Sequence, residues 1–324
     1  MSRVNTSVHG PVRSRGAALL MALFVAAIAT LIVSGLFWRQ FVLVRTIENQ
    51  QLMSQSRLLL RGALDWARAI LREDAAHSNY TDLSEPWAQP LAETKLDQLG
   101  ESSALASQAT MSGSMEDAQS RFNLRNLLRS DGSPDEAQSQ VLTRLVSELQ
   151  LPQPTADLIS VYMAQAVVPF AGQNPVAQPT NVNRPLPPVF PEDVARIPGL
   201  DPAVGPRLAP YVVVLDARTP VNFNTASAEV IAAEIEGLSL SNARALVADR
   251  DRIPFHDIGD ITNRLHGHGS SSSPSSLDVS AASSYFIVRG QIRLQRADTR
   301  MEALVKRAPP GQLGPVDVLW EREL

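Results

Sequence analysis

The sequence predicts an α+β protein: a long N-terminal transmembrane helix, then an antiparallel sheet whose early and late strands are separated by a large inserted helical domain. Three observations predict it. Ala17 through Trp38 is an apolar run without a charged residue, and a helix needs only about 20 residues to cross a hydrocarbon core. Segments after Ser133 place apolar residues at helical spacing, whereas the tail from Tyr285 alternates apolar and polar residues as half-buried strands do.

Ahead of the run lies a short basic leader ending Arg13-Ser14-Arg15-Gly16. A conventional signal peptide cut at Ala27-Ile28-Ala29 is the competing reading, but it would leave Leu31, Ile32, Val33 and Leu36 on a greasy new terminus; a retained span accounts for the whole run. Charge counting does not orient the span, because Arg3, Arg13 and Arg15 before it match Arg39, Arg45 and Arg57 after it. Nearly all foldable sequence follows the span, which favours a short inside leader and an outside domain.

The helix continues without proline to Glu73, a rod about 85 Å long from Ala17 at 1.5 Å per residue. Leu59, Ala63, Trp66 and Ile70 form an apolar stripe on its later part that needs a partner, and Arg57, Arg61, Arg68 and Arg72 read as a solvated face. Ser103–Met111 and Met115–Leu124 read as a hairpin around Gly113. Ser133-Pro134-Asp135-Glu136 reads as a helix start with Ser133 as cap and Pro134 in the first turn, and Thr155 caps the next helix. Pro169 to Pro191 is a proline- and asparagine-rich connector. Asn224 or Thr225 caps a helix towards Glu236, and Gly237-Leu238-Ser239 turns into another, outlining a helix-hairpin-helix (SAM-like) unit. Four strands follow: Tyr285–Val288, Gln291–Leu294, Met301–Val305 and Val316–Trp320. One sheet face is expected on the stripe around Trp66. The expected divisions are 1–16, 17–38, 39–73, 74–130, 131–268 and 269–324: leader, span, helix continuation, early strands, insert and late strands.

The 324 residues carry a net charge of −4 and no cysteine, which excludes disulfides, thiolate catalysis and cysteine metal sites and gives no basic field for nucleic acid. A Gly-x-Gly turn can grip a DNA phosphate, but here Ser239 replaces the second glycine and Glu229, Glu234, Glu236, Asp249 and Asp251 surround it; only Arg244, Arg250 and Arg252 support that role. His266 and His268 lack a third ligand at metal spacing. Asp216, Asp257 and Asp260 read as turn or cap residues, and no phosphate loop or nucleophile motif is present. No enzyme activity, metal or cofactor is expected.

Arg15-Gly16-Ala17 with its apolar helix and Trp38-Arg39-Gln40 exit, Glu85-Pro86-Trp87-Ala88, Arg121-Phe122-Asn123-Leu124, Asn183-Arg184-Pro185-Leu186, Leu208-Ala209-Pro210-Tyr211 and Val221-Asn222-Phe223-Asn224-Thr225-Ala226 resemble, in order, the minor pseudopilin K family of type II secretion systems. The resemblance implies a pilin-like helix, a pseudopilin sheet and an inserted helical domain. It also implies that a prepilin peptidase cuts after Gly16 and methylates Ala17. It implies a non-enzymatic role at the tip of the pseudopilus, starting its assembly with minor pseudopilins I and J, the shaft pseudopilins and the inner-membrane assembly platform, with the C-terminal domain in the periplasm. Pilin-like subunits resemble one another in carrying glutamate five residues after the cut; here Met21 stands there, which suits a subunit with none above it. Family members can carry an acidic calcium segment; this chain has Val161 to Ala166 there and no acidic cluster through Gln178, which disfavours calcium. Two alternatives stay open: a type IV pilus minor pilin and a periplasmic helix-hairpin-helix DNA-uptake protein.

Overall fold

The computed structural model describes residues 15–99, 106–166, 184–275 and 278–324. The leader up to Ser14, part of the expected hairpin and most of the connector, with Asn183, lie outside them. Helix α1 (Arg15–His77) runs through two compact units that part between Arg57 and Leu58. In the second unit a five-stranded antiparallel sheet is ordered β1-β2-β7-β8-β9, from Leu91–Lys95, Ala109–Asp117, Tyr285–Leu294, Ala297–Arg307 and Val316–Glu323. Between β2 and β7 the chain makes β3 (Phe122–Asn123), α2 (Glu136–Glu148), α3 (Pro154–Ala166), α4 (Val204–Leu208), β4 (Val212–Val213), β5 (Val221–Asn222), α5 (Ala228–Glu234), α6 (Leu240–Arg250), α7 (Ile258–Gly267) and β6 (Val279–Ser280). The predicted helix, discontinuous sheet and inserted helices are therefore all present.

The buried stripe of α1 is one residue out of phase with the predicted one. Leu60, Leu64, Ala67, Leu71 and Ala75 are buried, while Trp66 is 47% exposed. The helix is apolar enough around its circumference that either stripe fits the period, and the sheet selects the one it can approach closely. It does so at Gly113 and Gly290, which face each other across β2 and β7; Leu60 Cδ2 lies 3.3 Å from where a Cβ on Gly290 would stand. Arg68 also leaves the expected solvated face, donating from Nε to the Val316 carbonyl at 2.8 Å.

The hairpin around Gly113 is not formed: β2 runs straight through it, pairing with β7 from Ala109↔Leu294 to Asp117↔Phe286. Glycine read as a turn is instead a close approach, because a Cβ on Gly113 would lie 2.8 Å from the Arg289 carbonyl oxygen. For the same reason Gly290 does not split Tyr285–Leu294 into two strands. β1 had no counterpart in the sequence reading; it is short and breaks register between Leu91 and Thr94.

Three helix starts also shift. Ser133 does not cap α2: its N–H and Oγ both donate to Asp131 Oδ1 at 2.9 and 2.7 Å, and Pro134 bridges to Leu128, so Asp135 takes the cap position. α3 begins at Pro154, where a missing N–H costs nothing, and Thr155 is buried in its first turn. Ser227, rather than Asn224 or Thr225, caps α5 by accepting from Val230 N–H. Asn224 is drawn inward instead, as its Nδ2 donates to the Phe255 carbonyl at 2.8 Å. The inserted helices share one core that includes Phe122, Leu145, Ile159, Phe223, Ile231 and Phe255.

Candidate assembly surfaces

No charged group interrupts α1 from Ala17 to Trp38, and its first turn has no acidic residue. Ala17 is exposed and Met21 is 74% exposed; Gly16 is helical in its backbone. Among the described residues this is one helix long and apolar enough to cross a membrane, which makes it a single-pass anchor. The thioether at Met21 offers packing surface and no charge.

The insert meets the sheet at a buried polar joint. Asp117, at the end of β2, accepts at Oδ2 from Ser283 Oγ at 2.6 Å, Thr225 Oγ1 at 2.6 Å and Asn222 Nδ2 at 2.8 Å, and at Oδ1 from the Gln119 amide at 2.8 Å. Burial pushes its carboxyl up, against the pull of those four donors. Asn222 Nδ2 also donates to the Thr81 carbonyl at 3.0 Å, and its Oδ1 accepts from the Asn224 amide at 3.0 Å. Beside it the Arg307 guanidinium pairs with Asp74, donates to Thr81 Oγ1 at 2.8 Å and to the Ser283 carbonyl at 3.2 Å, and lies over the Phe286 ring. A second amide, Asn123, donates to the Ala217 carbonyl at 2.7 Å and accepts from the Leu215 amide at 3.2 Å. Helix end, sheet and insert are thereby held by directional bonds, each buried donor finding an acceptor. These residues were missed as a site by the sequence reading, although Asn123, Asn222 and Asn224 fall in the segments that carried the resemblance. The signal was available: an amide flanked by Phe, Val or Leu is an amide destined for burial.

Two further surface features involve the sheet. Trp66, Ile70, Pro86, Leu91, Met111 and Met301 help line an apolar groove of about 310 Å³ between α1 and the sheet. Near the far edge Arg322 stacks over Phe190 and donates from Nε to the buried Glu302 at 2.7 Å, while Phe190 meets Trp320 edge-on at 5.0 Å.

The turn between α5 and α6 has Gly237 at φ +77°, the left-handed region, and Ser239 caps α6 by accepting from the Asn242 amide at 3.2 Å; Leu238 is buried. Of the arginines weighed for a phosphate role, Arg250 is buried and donates from Nη1 to the Phe223 and Ala226 carbonyls, each at 2.5 Å, so it is spent on the interior. Arg244 lies 3.8 Å from Glu229. His266 is exposed, while His268 Nε2 meets Asp249 Oδ2 at 2.8 Å, and among the described residues no cluster of three metal-ligating side chains occurs. Asp257 caps α7, Asp260 pairs with Arg264, and Asp216 accepts from Tyr285 Oη at 2.6 Å; burial first, then that carboxylate, pushes the phenol up.

Two family models described as "Type II secretion system (T2SS), protein K" match residues 120–217 and 221–280. The type II secretion system protein K of Pseudomonas aeruginosa is 29% identical, across 94% of this chain and 91% of its own. That of Klebsiella pneumoniae is also 29% identical, across 74% of this chain and 76% of its own. A crystal structure of the GspK–GspI–GspJ complex from enterotoxigenic Escherichia coli contains a chain with the same fold, at TM-score 0.64 and 21% identity over 85% of this chain and 98% of that one. Residues 120–217 and 221–280 belong to the type II secretion system protein K family.

Proposed function

We propose that this chain is the minor pseudopilin at the tip of a type II secretion pseudopilus, where it helps to start assembly together with pseudopilins I and J. The observation that carries this reading is Met21 in the first turn of α1. A filament subunit placed below another must neutralise the terminal amine of its neighbour within a helix bundle of low dielectric, and an uncompensated buried charge there is strongly unfavourable. A thioether offers no such compensation, so the chain suits the end with no subunit above it. The crystal structure of the relative in complex with GspI and GspJ supports the choice of partners.

The rest follows from this reading. A prepilin peptidase cuts between Gly16 and Ala17 and methylates the new amine; α1 stays in the inner membrane, engages the assembly platform and shaft pseudopilins, and holds the domain from Leu58 onward in the periplasm. The protein works by assembly and not by catalysis, and it needs no calcium: no aspartate or glutamate lies between Asp157 and Glu192 to offer carboxylate oxygens.

N-terminal sequencing after co-expression with a prepilin peptidase should give Ala17, and the full chain should co-purify from membranes with pseudopilins I and J. A mature terminus at Thr30 would restore the signal-peptide reading, and failure to capture either partner would remove the tip assignment. Met21→Glu should let the chain enter the shaft, where wild type does not.

A further inference from the structure

Glu234 ends α5 with only 9% of its surface exposed, and neither carboxylate oxygen has a hydrogen-bond donor. The groups that face it are few. From α2 comes the positive charge of Arg144, whose Nε is already given to the Ala233 carbonyl at 2.7 Å. From the residue before β6 comes Asp278, a like charge, which accepts from Gln138 Nε2 of α2 at 2.8 Å; Gln138 Oε1 is itself buried without a partner. Arg218 and Asp135, which pair at 2.8 Å, act in turn on Asp278. From α6, Arg244 is turned to Glu229 and Arg250 to the Phe223 and Ala226 carbonyls, at the other end of α5. Glu234 thus has one attractive charge, one repulsive charge and no donor, an arrangement that suits a neutral carboxyl and not a carboxylate.

We propose that Glu234 is a proton-held latch: neutral, it keeps the last turn of α5 seated against α2, and loss of its proton to solvent unseats that turn and frees the link through Gly237 to α6. Burial, reinforced by Asp278, pushes the carboxyl from 4.5 up to about 8 in the seated form. Because the seated form has the raised value, its advantage is complete below pH 4.5. The advantage falls about tenfold per pH unit as pH rises, and is exhausted near pH 8, after a loss of roughly three orders of magnitude.

Hydrogen exchange of the full-length protein in detergent micelles, read on residues 228–240 from pH 5 to 9 and divided by the intrinsic exchange rate at each pH, tests this. Wild type should show an opening constant that climbs about tenfold per unit to a plateau near pH 8, and Glu234→Gln should be flat. Asp278→Asn removes the repulsion and should bring the plateau to lower pH, a readout that survives if Glu234→Gln does not fold. A flat wild-type profile, a slope retained in Glu234→Gln, or a plateau unmoved by Asp278→Asn would each overturn the latch.

Discussion

Replacing Asn222 by alanine should cost about 4 kcal/mol, and the figure follows from what the amide holds. Nδ2 donates to the Thr81 carbonyl, Asp117 Oδ2 and Ser283 Oγ, and Oδ1 accepts from the Asn224 amide. Thr81, Asn222 and Asn224 are all at most 3% exposed, so water does not replace the lost partners. The Thr81 carbonyl and the Asn224 N–H are left unpaired at about 1–3 kcal/mol each, and the bond to the Asp117 carboxyl adds about 1.5 kcal/mol or more. Against a typical total of about 5–15 kcal/mol this is a large fraction. Urea unfolding of the full chain in micelles, followed by tryptophan fluorescence, measures it, because Trp87 is buried and lies edge-on to Phe286 at 5.0 Å. Thr143→Ala is the control, since its exposed hydroxyl bonds only to the Ser139 carbonyl within its own helix. A loss below about 1 kcal/mol for Asn222→Ala, equal to the control, would mean that the joint does not hold the insert and the reasoning fails.

Gly113→Ala should lower stability by about 1–3 kcal/mol, seen as a reduced melting temperature, because the new methyl meets the Arg289 backbone carbonyl at 2.8 Å; an unchanged melt would show that the β2–β7 pair yields freely. Arg307→Met should cost about 3–5 kcal/mol by leaving Asp74 buried and uncompensated, and Arg307→Met with Asp74→Leu should recover a large part of that loss in a double-mutant cycle. Additive single-mutant losses would show that the two charges are solvated independently.

The elements that were legible in the sequence are those whose signal is local. The span needs only composition, and the turn into α6 needs only Gly237-Leu238-Ser239. The late strands need only alternation. Where the reading slipped, a distant partner decided the outcome. Gly113 and Gly290 look like turn residues until each is found opposite the other under α1, which requires knowing that β2 and β7 pair across the whole insert. Ser133 has every local feature of a cap, but Asp131 claims both its donors first. Arg250 looks like surface charge in a helix of low amphipathicity, and only the carbonyls at Phe223 and Ala226 draw it inside. The apolar neighbours of Asn123 and Asn222 signal buried amides but not their partners, because Asp117, Asn222 and Ser283 are brought together by topology, not by spacing.

That topology also explains why so large an insert is tolerated and why it needs polar bonds at its base. β2 and β7 are neighbours in unbroken antiparallel register up to Asp117↔Phe286. For the sheet, everything between them is therefore one hairpin loop, and closing a longer loop costs only about 0.6 kcal/mol for each doubling. The insert leaves after Asp117 and returns at Ser283, two residues whose side chains bond to each other. Apolar contact alone, through Val213 and Leu215 on Tyr285, Ile287 and Leu304, would attach the domain without fixing its direction, since hydrophobic attraction has no preferred orientation. Hydrogen bonds do have one. Asn222 ties β5 to Asp117, Thr81 and Ser283, and Tyr285 of β7 donates from Oη to Asp216 of the insert at 2.6 Å, so the insert is fixed about two points instead of one. A domain tied at two separate points resists swinging about either one, so the bonds set the direction in which the insert leaves the sheet.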